Sequence, residues 1–265
     1  MFKRKFRWID KAFCDIDREQ IARTRNIKLI PDQERRRGGK SSYAEWAHVI
    51  GIFQTIIYQT LGSKTGNKIL DIGCGTGLLG IASEPFTSGG GSYTGIDVMS
   101  EDINFCKDHY RSANYNFIHL DVANPTYASA QSAELKPWPI EDESHDLVTA
   151  LSVWTHLNET HAIFYFNEIQ RVLKKGGKAI ITFFYLNEHY QESLAKRNND
   201  TGRFHNTNQN TWIFDTPAYD SKNWYTVPSA KTPEDAIGIT PEGMDILLKS
   251  SGLKLVQYYP GNWKE

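Results

Sequence analysis

Apolar positions along the chain recur with two different periods, which predict alternating helices and strands. Over residues 43–62 they follow a helical stripe, and Gly62 is suited to end that helix. The stripe consists of Trp46, Ala47, Ile50, Phe53, Ile57 and Leu61. Short apolar runs predict strands at 68–73, 92–98, 114–122, 145–153 and 178–186, with helices at 77–86, 100–112 and 159–177. This alternation predicts an α/β fold, with a doubly wound, mostly parallel sheet covered by helices on both faces.

Residues 187–239 interrupt this alternation. They are rich in asparagine, threonine and aromatic residues, and an irregular insertion of this length is typical of a functional loop or lid. A capped helix at 240–252 and one strand at 253–259 are predicted to follow. We therefore predict an N-terminal helical extension over 1–62 and a main domain over 63–265 that carries the lid, with roughly six or seven strands in its sheet.

Composition narrows the possible functions. The 265 residues carry a formal net charge of -1, so nothing in the overall charge indicates a nucleic-acid partner. No window approaches the roughly 18 apolar residues that a membrane-spanning helix needs. The three cysteines lack the spacing of a metal site, and no bound metal is expected. Reduced thiols in a cytoplasmic protein are the simplest interpretation.

The stretch "KILDIGCGTGLLG", residues 68–80, contains the most informative pattern. A dinucleotide-binding turn would need a third glycine at position 78, but that residue is Leu78 and the glycine is Gly77. Asp71 ends the strand, and its carboxylate is unfavourable beside a pyrophosphate but suits a cationic ligand. S-adenosylmethionine carries an ammonium and a sulfonium group. The charge pattern therefore favours this cofactor over a nicotinamide dinucleotide.

The motif "LDIGCGTG" resembles the first motif of the class I, Rossmann-like S-adenosylmethionine-dependent methyltransferases, and the likeness extends over residues 43–186. The resemblance implies S-adenosylmethionine as cofactor. It also implies that Asp97 receives the two ribose hydroxyls and that Asp121 holds the adenine amino group. The other implied cofactor contacts are Tyr43, Asp71, Gly73, Cys74, Gly75, Gly77, Val98, Val122 and Ser152. Cys74 also fits a role as a small filler of the turn, and Tyr43 one as a packing aromatic.

Residues after the fourth predicted strand bear on the acceptor. The stretch "ALSVWTHL" lacks the tetrapeptide of amino-methylating nucleic-acid enzymes and the cysteine nucleophile of cytosine methyltransferases. We find neither the double-glutamate loop of arginine methyltransferases nor the carboxylate cluster of metal-dependent catechol enzymes. The remaining acceptors are a small molecule, a lipid or a glycan.

A hydroxyl acceptor would benefit from a general base, since it is a poor nucleophile at neutral pH. His156 follows the fourth strand at the edge where open α/β sheets bind ligands, so it is the first candidate. His189, just after the fifth strand, is the second, and His48 is the third. The alternatives are a packing or capping role for His156 and a solvated position for His189.

The insertion predicts the acceptor class. Trp212, Tyr219 and Trp224 stand among several asparagines, and aromatic rings stack on sugars while amides bond hydroxyls. We therefore expect O-methylation of a sugar hydroxyl, with Trp212, Tyr219 and Trp224 as the substrate-binding residues. The alternatives are a lid whose aromatics form its own core, a lipid, quinone or other secondary metabolite as acceptor, and a non-catalytic module that only binds the cofactor.

Overall fold

A computed structural model describes residues 29–36, 43–122, 135–201 and 208–261. The chain divides into two compact units, Met1–His119 and Leu120–Glu265. The predicted α/β class is confirmed, since helices connect parallel strands within each unit. Among the described residues, no helix combines the length and the apolar character that a membrane crossing requires.

The first unit alternates helices and strands as the sequence predicts. Its elements are α1 (Tyr43–Thr60), β1 (Lys68–Ile72), α2 (Leu78–Thr87), β2 (Ser92–Asp97), α3 (Ser100–His109) and β3 (Tyr115–His119). Strand β2 lies between β1 and β3 and is parallel to both. The predicted stripe of α1 is confirmed, because Trp46, Ile50 and Ile57 are almost completely buried.

The register of these strands determines which side chains meet. Asp71 of β1 lies opposite Gly95 of β2, and Asp97 of β2 lies opposite His119 of β3. Because parallel strands run in the same direction, Asp97 ends β2 at the edge where the chain leaves β1. That edge holds the turn with the three glycines.

The second unit begins with a parallel pair of strands. Its elements are β4 (His145–Ala150), α4 (Glu159–Val172), β5 (Leu173–Ile181), β6 (Phe184–Tyr185), α5 (Glu188–Leu194), β7 (Thr216–Pro217), β8 (Trp224–Thr226), β9 (Ile237–Ile239) and α6 (Pro241–Ser251). Helix α6 begins after the capping side chain of Thr240 and ends at Gly252, whose φ is 73°. The predicted capped helix is therefore confirmed.

The insertion is more regular than the sequence analysis predicts. Strands β6, β9, β8 and β7 form a separate four-stranded sheet in that order. Leu186, Phe214, Val227 and Ala236 form a buried core within it, and Trp212 and Tyr225 pack against that core. The expectation of an irregular segment is wrong, because its aromatic residues bury one another. The alternative that the aromatics form a core of their own is correct.

Two other boundaries differ from the sequence analysis. Helix α4 ends at Val172 rather than 177, since Leu173 already has extended angles and Gly176, with φ 81°, lies inside β5. Residues 253–259 form no strand, and among the described residues they have no ladder partner. Their side chains Leu255, Val256 and Tyr259 are exposed instead.

One ionic cluster stabilises the second unit. Arg171 of α4 donates to Asp142 Oδ1 and Glu168 Oε2, both at 2.6 Å. It also donates to the carbonyl oxygens of Ile140 (2.7 Å) and Trp138 (3.1 Å). Glu168 Oε2 in turn accepts the main-chain N–H of Trp138 at 2.7 Å. The guanidinium therefore holds the segment before β4 against α4.

Replacing Arg171 with methionine should destabilise the protein by about 3 kcal/mol, because the largely buried Glu168 carboxylate loses its cationic partner. Urea unfolding followed by circular dichroism measures this change. The control is Lys174→Met, which removes the Lys174–Asp146 pair, whose side chains are 40% and 30% exposed. Its expected cost is under about 1 kcal/mol. Equal costs for the two variants would contradict a structural role for the Arg171 cluster.

Candidate functional site

The turn after β1 depends on three glycines. Gly73, Gly75 and Gly77 have φ values of 66°, 51° and 88°, in the left-handed region that glycine adopts without strain. The N–H groups of Gly73 and Cys74 donate to the carbonyl oxygen of Ile96 at 2.8 and 3.1 Å. The turn is therefore fixed to β2 by main-chain hydrogen bonds, and its glycines allow close approach of a ligand.

Gly77 is further restricted by Tyr110. A Cβ atom on Gly77 would lie 2.6 Å from Tyr110 Cζ, where no side-chain atom fits. Tyr110 Oη donates to the Gly77 carbonyl oxygen at 2.7 Å, so the ring is held in that position. The sequence analysis did not identify Tyr110, because it lies 33 residues from Gly77 and belongs to no motif.

Asp97 connects the end of β2 to the glycine turn. Its Oδ2 accepts the N–H of Gly75 at 2.7 Å, and its Oδ1 accepts the N–H of Met99 at 2.8 Å. Burial raises the pKa of Asp97, and the two main-chain donors partly offset that rise. A carboxylate offers about four lone-pair positions, so each oxygen can accept a further hydroxyl.

Asp71 lies in the interior of the first unit. Only 1% of its surface is exposed, and it accepts a hydrogen bond from Tyr93 Oη at 2.5 Å. Burial raises the pKa of Tyr93 well above its usual value, and the negative charge of Asp71 raises it further. The phenol therefore stays neutral and keeps donating to Asp71. Direct contact between Asp71 and a cationic ligand stays a prediction.

The other residues of the first unit that the sequence analysis singled out lie in environments that differ from one another. Cys74 is buried in the turn, and burial raises the pKa of its thiol, as expected for a filler. The Val98 carbonyl oxygen lies 3.1 Å from His119 Nε2. Tyr43 is the first residue of α1, but its side chain lies outside the described residues, and His48 on the same helix is exposed.

Three predicted cofactor residues belong to the second unit. The exposed Asp121 accepts a hydrogen bond from Lys136 Nζ at its carbonyl oxygen (3.1 Å), whereas Val122 is buried. Ser152, two residues after β4, has a φ of 64°, and its N–H donates to Thr182 Oγ1 at 2.7 Å. A non-glycine residue in the left-handed region is uncommon, and such conformations concentrate at functional sites.

His156 occupies a specific position in the short 3-10 helix Trp154–His156. Its Nδ1 lies 2.7 Å from the carbonyl oxygen of Glu234. Burial lowers the pKa of His156, although the hydrogen bond to Glu234 opposes this effect. The imidazole is therefore neutral at pH 7. Because a carbonyl only accepts, Nδ1 carries the proton and Nε2 carries the basic lone pair.

His189 lies in the first turn of α5 and is different from His156. Its side chain is 60% exposed, and Nδ1 is 4.0 Å from Glu192. Its ring stacks on Tyr258, with centroids 6.0 Å apart. These contacts support the alternative of a solvated residue over a catalytic role.

Glu234, which the sequence analysis did not identify, lies next to His156. Glu234 is 2% exposed, and its carboxylate accepts hydrogen bonds from Tyr219 and Asn158. The stretch "TPED" contains the residues of a helix cap, but it does not indicate a partner 78 residues away. No signal in the sequence could have linked Glu234 to His156.

The predicted substrate residues occupy three environments. Tyr219 is 60% exposed, Trp212 is partly buried against the core of the insertion, and Trp224 is completely buried. Trp224 therefore packs inside the unit and offers no exposed face. Several asparagine side chains of the insertion bond protein groups: Asn210 Nδ2 donates to Asn199 Oδ1, and Asn223 Oδ1 accepts from Thr240. Among the residues with described positions, no group of three or more metal-binding side chains occurs.

Replacing Gly77 with alanine should destabilise the protein by at least about 2 kcal/mol, because a Cβ would strain the backbone and collide with Tyr110. Thermal or urea unfolding measures the loss. Gly62→Ala is the matched control, since nothing lies within 4 Å of its added Cβ. A stable Gly77→Ala protein would show that the turn tolerates a side chain.

Comparisons with known proteins agree with this geometry. Residues 70–181 match the family model described as a methyltransferase domain. The ubiquinone biosynthesis O-methyltransferase of Pasteurella multocida is 27% identical over 161 residues, which cover 56% of this chain and 63% of that protein. The protein of the same description from Idiomarina loihiensis is 31% identical over 129 residues, which cover 49% and 46%. The chain thus matches less than two thirds of the length of these relatives.

A solved S-adenosylmethionine-dependent methyltransferase from Aquifex aeolicus has a TM-score of 0.44 and 15% identity, and the match covers 77% of this chain and 80% of that one. The identification does not depend on this likeness, since the domain match and the curated relatives agree on a methyltransferase. Residues 70–181, less than half of the chain, therefore match a methyltransferase domain, and S-adenosylmethionine is the cofactor that this match indicates.

Proposed function

We propose that the chain is an S-adenosylmethionine-dependent O-methyltransferase that acts on a phenolic hydroxyl of a small quinone-type molecule. The observation that carries the proposal is the hydrogen bond between His156 Nδ1 and the Glu234 carbonyl oxygen, which makes Nε2 a base. The methyltransferase domain supports the reaction type, and the relatives described as ubiquinone biosynthesis O-methyltransferases support the acceptor class.

The residues of the first unit fit the cofactor. The turn formed by Gly73, Gly75 and Gly77 allows its main chain to approach a ligand, and a Cβ at Gly77 would disrupt that turn. Asp97 has acceptor capacity for both ribose hydroxyls, since each oxygen accepts one main-chain N–H. The buried carboxylate of Asp71 favours a cation near the turn, and in this proposal Asp71 belongs to the cofactor site.

The remaining cofactor residues are carried over from the sequence pattern. In this proposal Asp121 binds the adenine amino group, and Val98, Val122 and Ser152 line the cofactor, with Tyr43 near its methionine end. S-adenosylmethionine supplies an activated methyl group on a sulfonium. The protein must therefore bind and orient the acceptor and remove its proton.

His156 performs the proton transfer in this mechanism. Its Nε2 would take the proton of the acceptor hydroxyl as the methyl group passes from the sulfonium sulfur to the acceptor oxygen, which would leave S-adenosylhomocysteine and the methylated acceptor as products. The Glu234 carbonyl stabilises the resulting imidazolium, because Nδ1–H continues to donate to it. The position of His156 just after β4 agrees with the general location of ligands at the carboxyl ends of parallel strands.

Acidity favours a phenol over a sugar. A phenol has a pKa of about 10, whereas an aliphatic hydroxyl is much less acidic. The pKa of His156 lies below its usual 6.5, so this base is matched better to the phenol. The predicted sugar acceptor lacks support from the insertion, because Trp224 is buried and the side-chain amides of Asn210 and Asn223 bond protein groups. Of the three predicted substrate residues, Tyr219 is the exposed one, and we propose that it contacts the acceptor.

A direct test is to incubate the protein with S-adenosylmethionine and either a dihydroxybenzoate or a methyl glycoside. Mass spectrometry would follow S-adenosylhomocysteine and the methylated product. We expect turnover with the phenol and none with the sugar. Cofactor binding without any turnover across a broad phenol panel would favour the non-catalytic alternative.

Asp97→Asn should weaken binding of S-adenosylhomocysteine by about tenfold or more, because one carboxylate oxygen is replaced by an NH2 group that cannot accept a hydrogen bond from a ribose hydroxyl. Isothermal titration calorimetry measures the dissociation constant. Asp108→Asn is the control, since Asp108 is an exposed carboxylate on α3 of the same unit. Unchanged affinity in Asp97→Asn would remove Asp97 from the cofactor site.

His156→Gln should lower kcat by about 100-fold or more, because the hydroxyl loses its base. In the wild type, the rate should rise with pH and level off once His156 is neutral, with a midpoint below 6.5. The variant should lack this limb of the pH profile. His189→Gln distinguishes the two histidines: a comparable loss there, with His156→Gln active, would move the role of base to His189.

A further inference from the structure

The main-chain carbonyl of Glu234 contacts His156, and the side-chain carboxylate of Glu234 is hydrogen-bonded to other residues. It lies in the short 3-10 helix Pro233–Asp235 of the insertion. Its carbonyl oxygen is 2.7 Å from His156 Nδ1. Its carboxylate accepts the hydroxyl of Tyr219 at 2.9 Å (Oε1) and 2.7 Å (Oε2), and the side-chain amide of Asn158 at 3.3 Å. One residue therefore connects the insertion with the segment after β4.

The main chain around Glu234 is fixed on both sides. Thr232 and Asp235 form a capping box that satisfies main-chain N–H groups at the N-terminal end of the short helix. Thr226 of β8 donates to the Pro233 carbonyl oxygen at 3.2 Å, and the N–H of Lys231 donates to Asp235 Oδ2 at 2.8 Å. The main chain that carries the Glu234 carbonyl is therefore hydrogen-bonded to strand β8 of the insertion through the neighbouring residue Pro233.

The burial of Glu234 needs an explanation beyond packing. A carboxylate that is only 2% exposed is costly unless polar groups satisfy it. The hydroxyl of Tyr219 and the side-chain amide of Asn158 donate hydrogen bonds to this carboxylate. Asn158 also caps α4, since its Oδ1 accepts the N–H of His161 at 3.0 Å. Asn158 thus links the position of Glu234 to the first turn of α4.

Tyr219 adopts an unusual conformation to reach Glu234. Its φ of 51° and ψ of 43° are left-handed, and the φ of the next residue, Asp220, is 58°. Its ring is 60% exposed, so burial of the ring does not explain the conformation. The hydrogen bonds of its hydroxyl to Glu234 do explain it. Strain of this kind persists where the surrounding structure requires a particular geometry.

We propose that Glu234 is a positioning residue that fixes the tautomer and the ring orientation of His156, and that Tyr219 and Asn158 hold Glu234 in place. The catalytic value of this arrangement rests on the proposed function of His156 as the base. The insertion then determines which nitrogen of the base faces the acceptor. Loss of the Tyr219 hydroxyl would leave Asn158 as the remaining side-chain donor to Glu234, and the carbonyl contact would loosen.

Nitrogen-15 NMR of the histidine side chains tests the tautomer without any need for turnover. In the wild type at pH 7 we expect His156 to carry its proton on Nδ1, with the signal assigned by its absence in His156→Gln. Tyr219→Phe and Glu234→Ala should shift both ring nitrogens toward the averaged values of a mixed tautomer. Glu234→Gln keeps an acceptor of the same length for Tyr219 and Asn158, and should retain most of the wild-type signature.

Tyr190→Phe is the matched control. It removes one hydroxyl from the same insertion, where Tyr190 Oη accepts the N–H of Phe214 at 2.9 Å. Its His156 signals should match the wild type. Because the Tyr219 ring lies at the surface, Tyr219→Phe should fold, and its thermal midpoint compared with that of Tyr190→Phe verifies this.

Kinetics supply a second readout. With a phenol acceptor, Tyr219→Phe should lower kcat by about tenfold, as loss of an orienting partner commonly does, and should leave KM nearly unchanged because the ring remains. An unchanged His156 tautomer in folded Tyr219→Phe and Glu234→Ala would overturn the inference, whatever the activity. A tautomer change in a protein that shows no methyl transfer would support the positioning role and contradict the proposed function alone.

Discussion

The hydrogen bond from the Gly75 N–H to Asp97 is the interaction on which the glycine turn of the first unit depends. A turn of three left-handed glycines leaves main-chain donors that need acceptors. Asp97 supplies one from the end of β2, at 2.7 Å. In the proposed function the same carboxylate also binds the ribose hydroxyls. Folding and cofactor binding would then use the same side chain, and a change at Asp97 would alter both the turn and the affinity.

The second unit contains a comparable contact between main chain and side chain. In the first unit a side chain holds the main chain, whereas in the second unit the main chain holds a side chain. There the main-chain carbonyl of Glu234 holds the side chain of His156, the proposed base. In both units, one partner of the key contact is a backbone atom, which no substitution removes directly. The side chains that can change are the supporting ones, such as Tyr110 in the first unit and Tyr219 in the second. Variation at Tyr110 would alter the glycine turn, and loss of the Tyr219 hydroxyl would alter the support of Glu234.

Sequence patterns predicted those parts of the fold that depend on local chemistry. The buried face of α1 follows from its 3.6-residue period, and the ends of α6 follow from Thr240 and Gly252. The glycine turn and Asp97 followed from a motif. Within these segments, local preference and final structure agree.

The rest of the fold depended on contacts that spacing cannot reveal. Strands of two or three residues, such as β7 and β8, are too short to show alternation, so their sheet was missed. Trp224 was predicted at a ligand surface, but its ring is buried. The contact of His156 with Glu234 joins residues 78 positions apart. Helix α4 ends at Val172, and Gly176 and Gly177 lie inside β5, although a glycine pair more often ends a helix.

The buried thiols beneath the glycine turn have a practical consequence. Cys74 and Cys106 both direct their sulfur atoms at the Gly75 carbonyl oxygen, at 3.6 and 3.4 Å, and both are almost completely buried. An alkylating reagent can reach them only when this turn opens, since the thiolate is the reactive form and burial raises the pKa of Cys74. The rate at which Cys74 and Cys106 are alkylated therefore reports how often the turn opens.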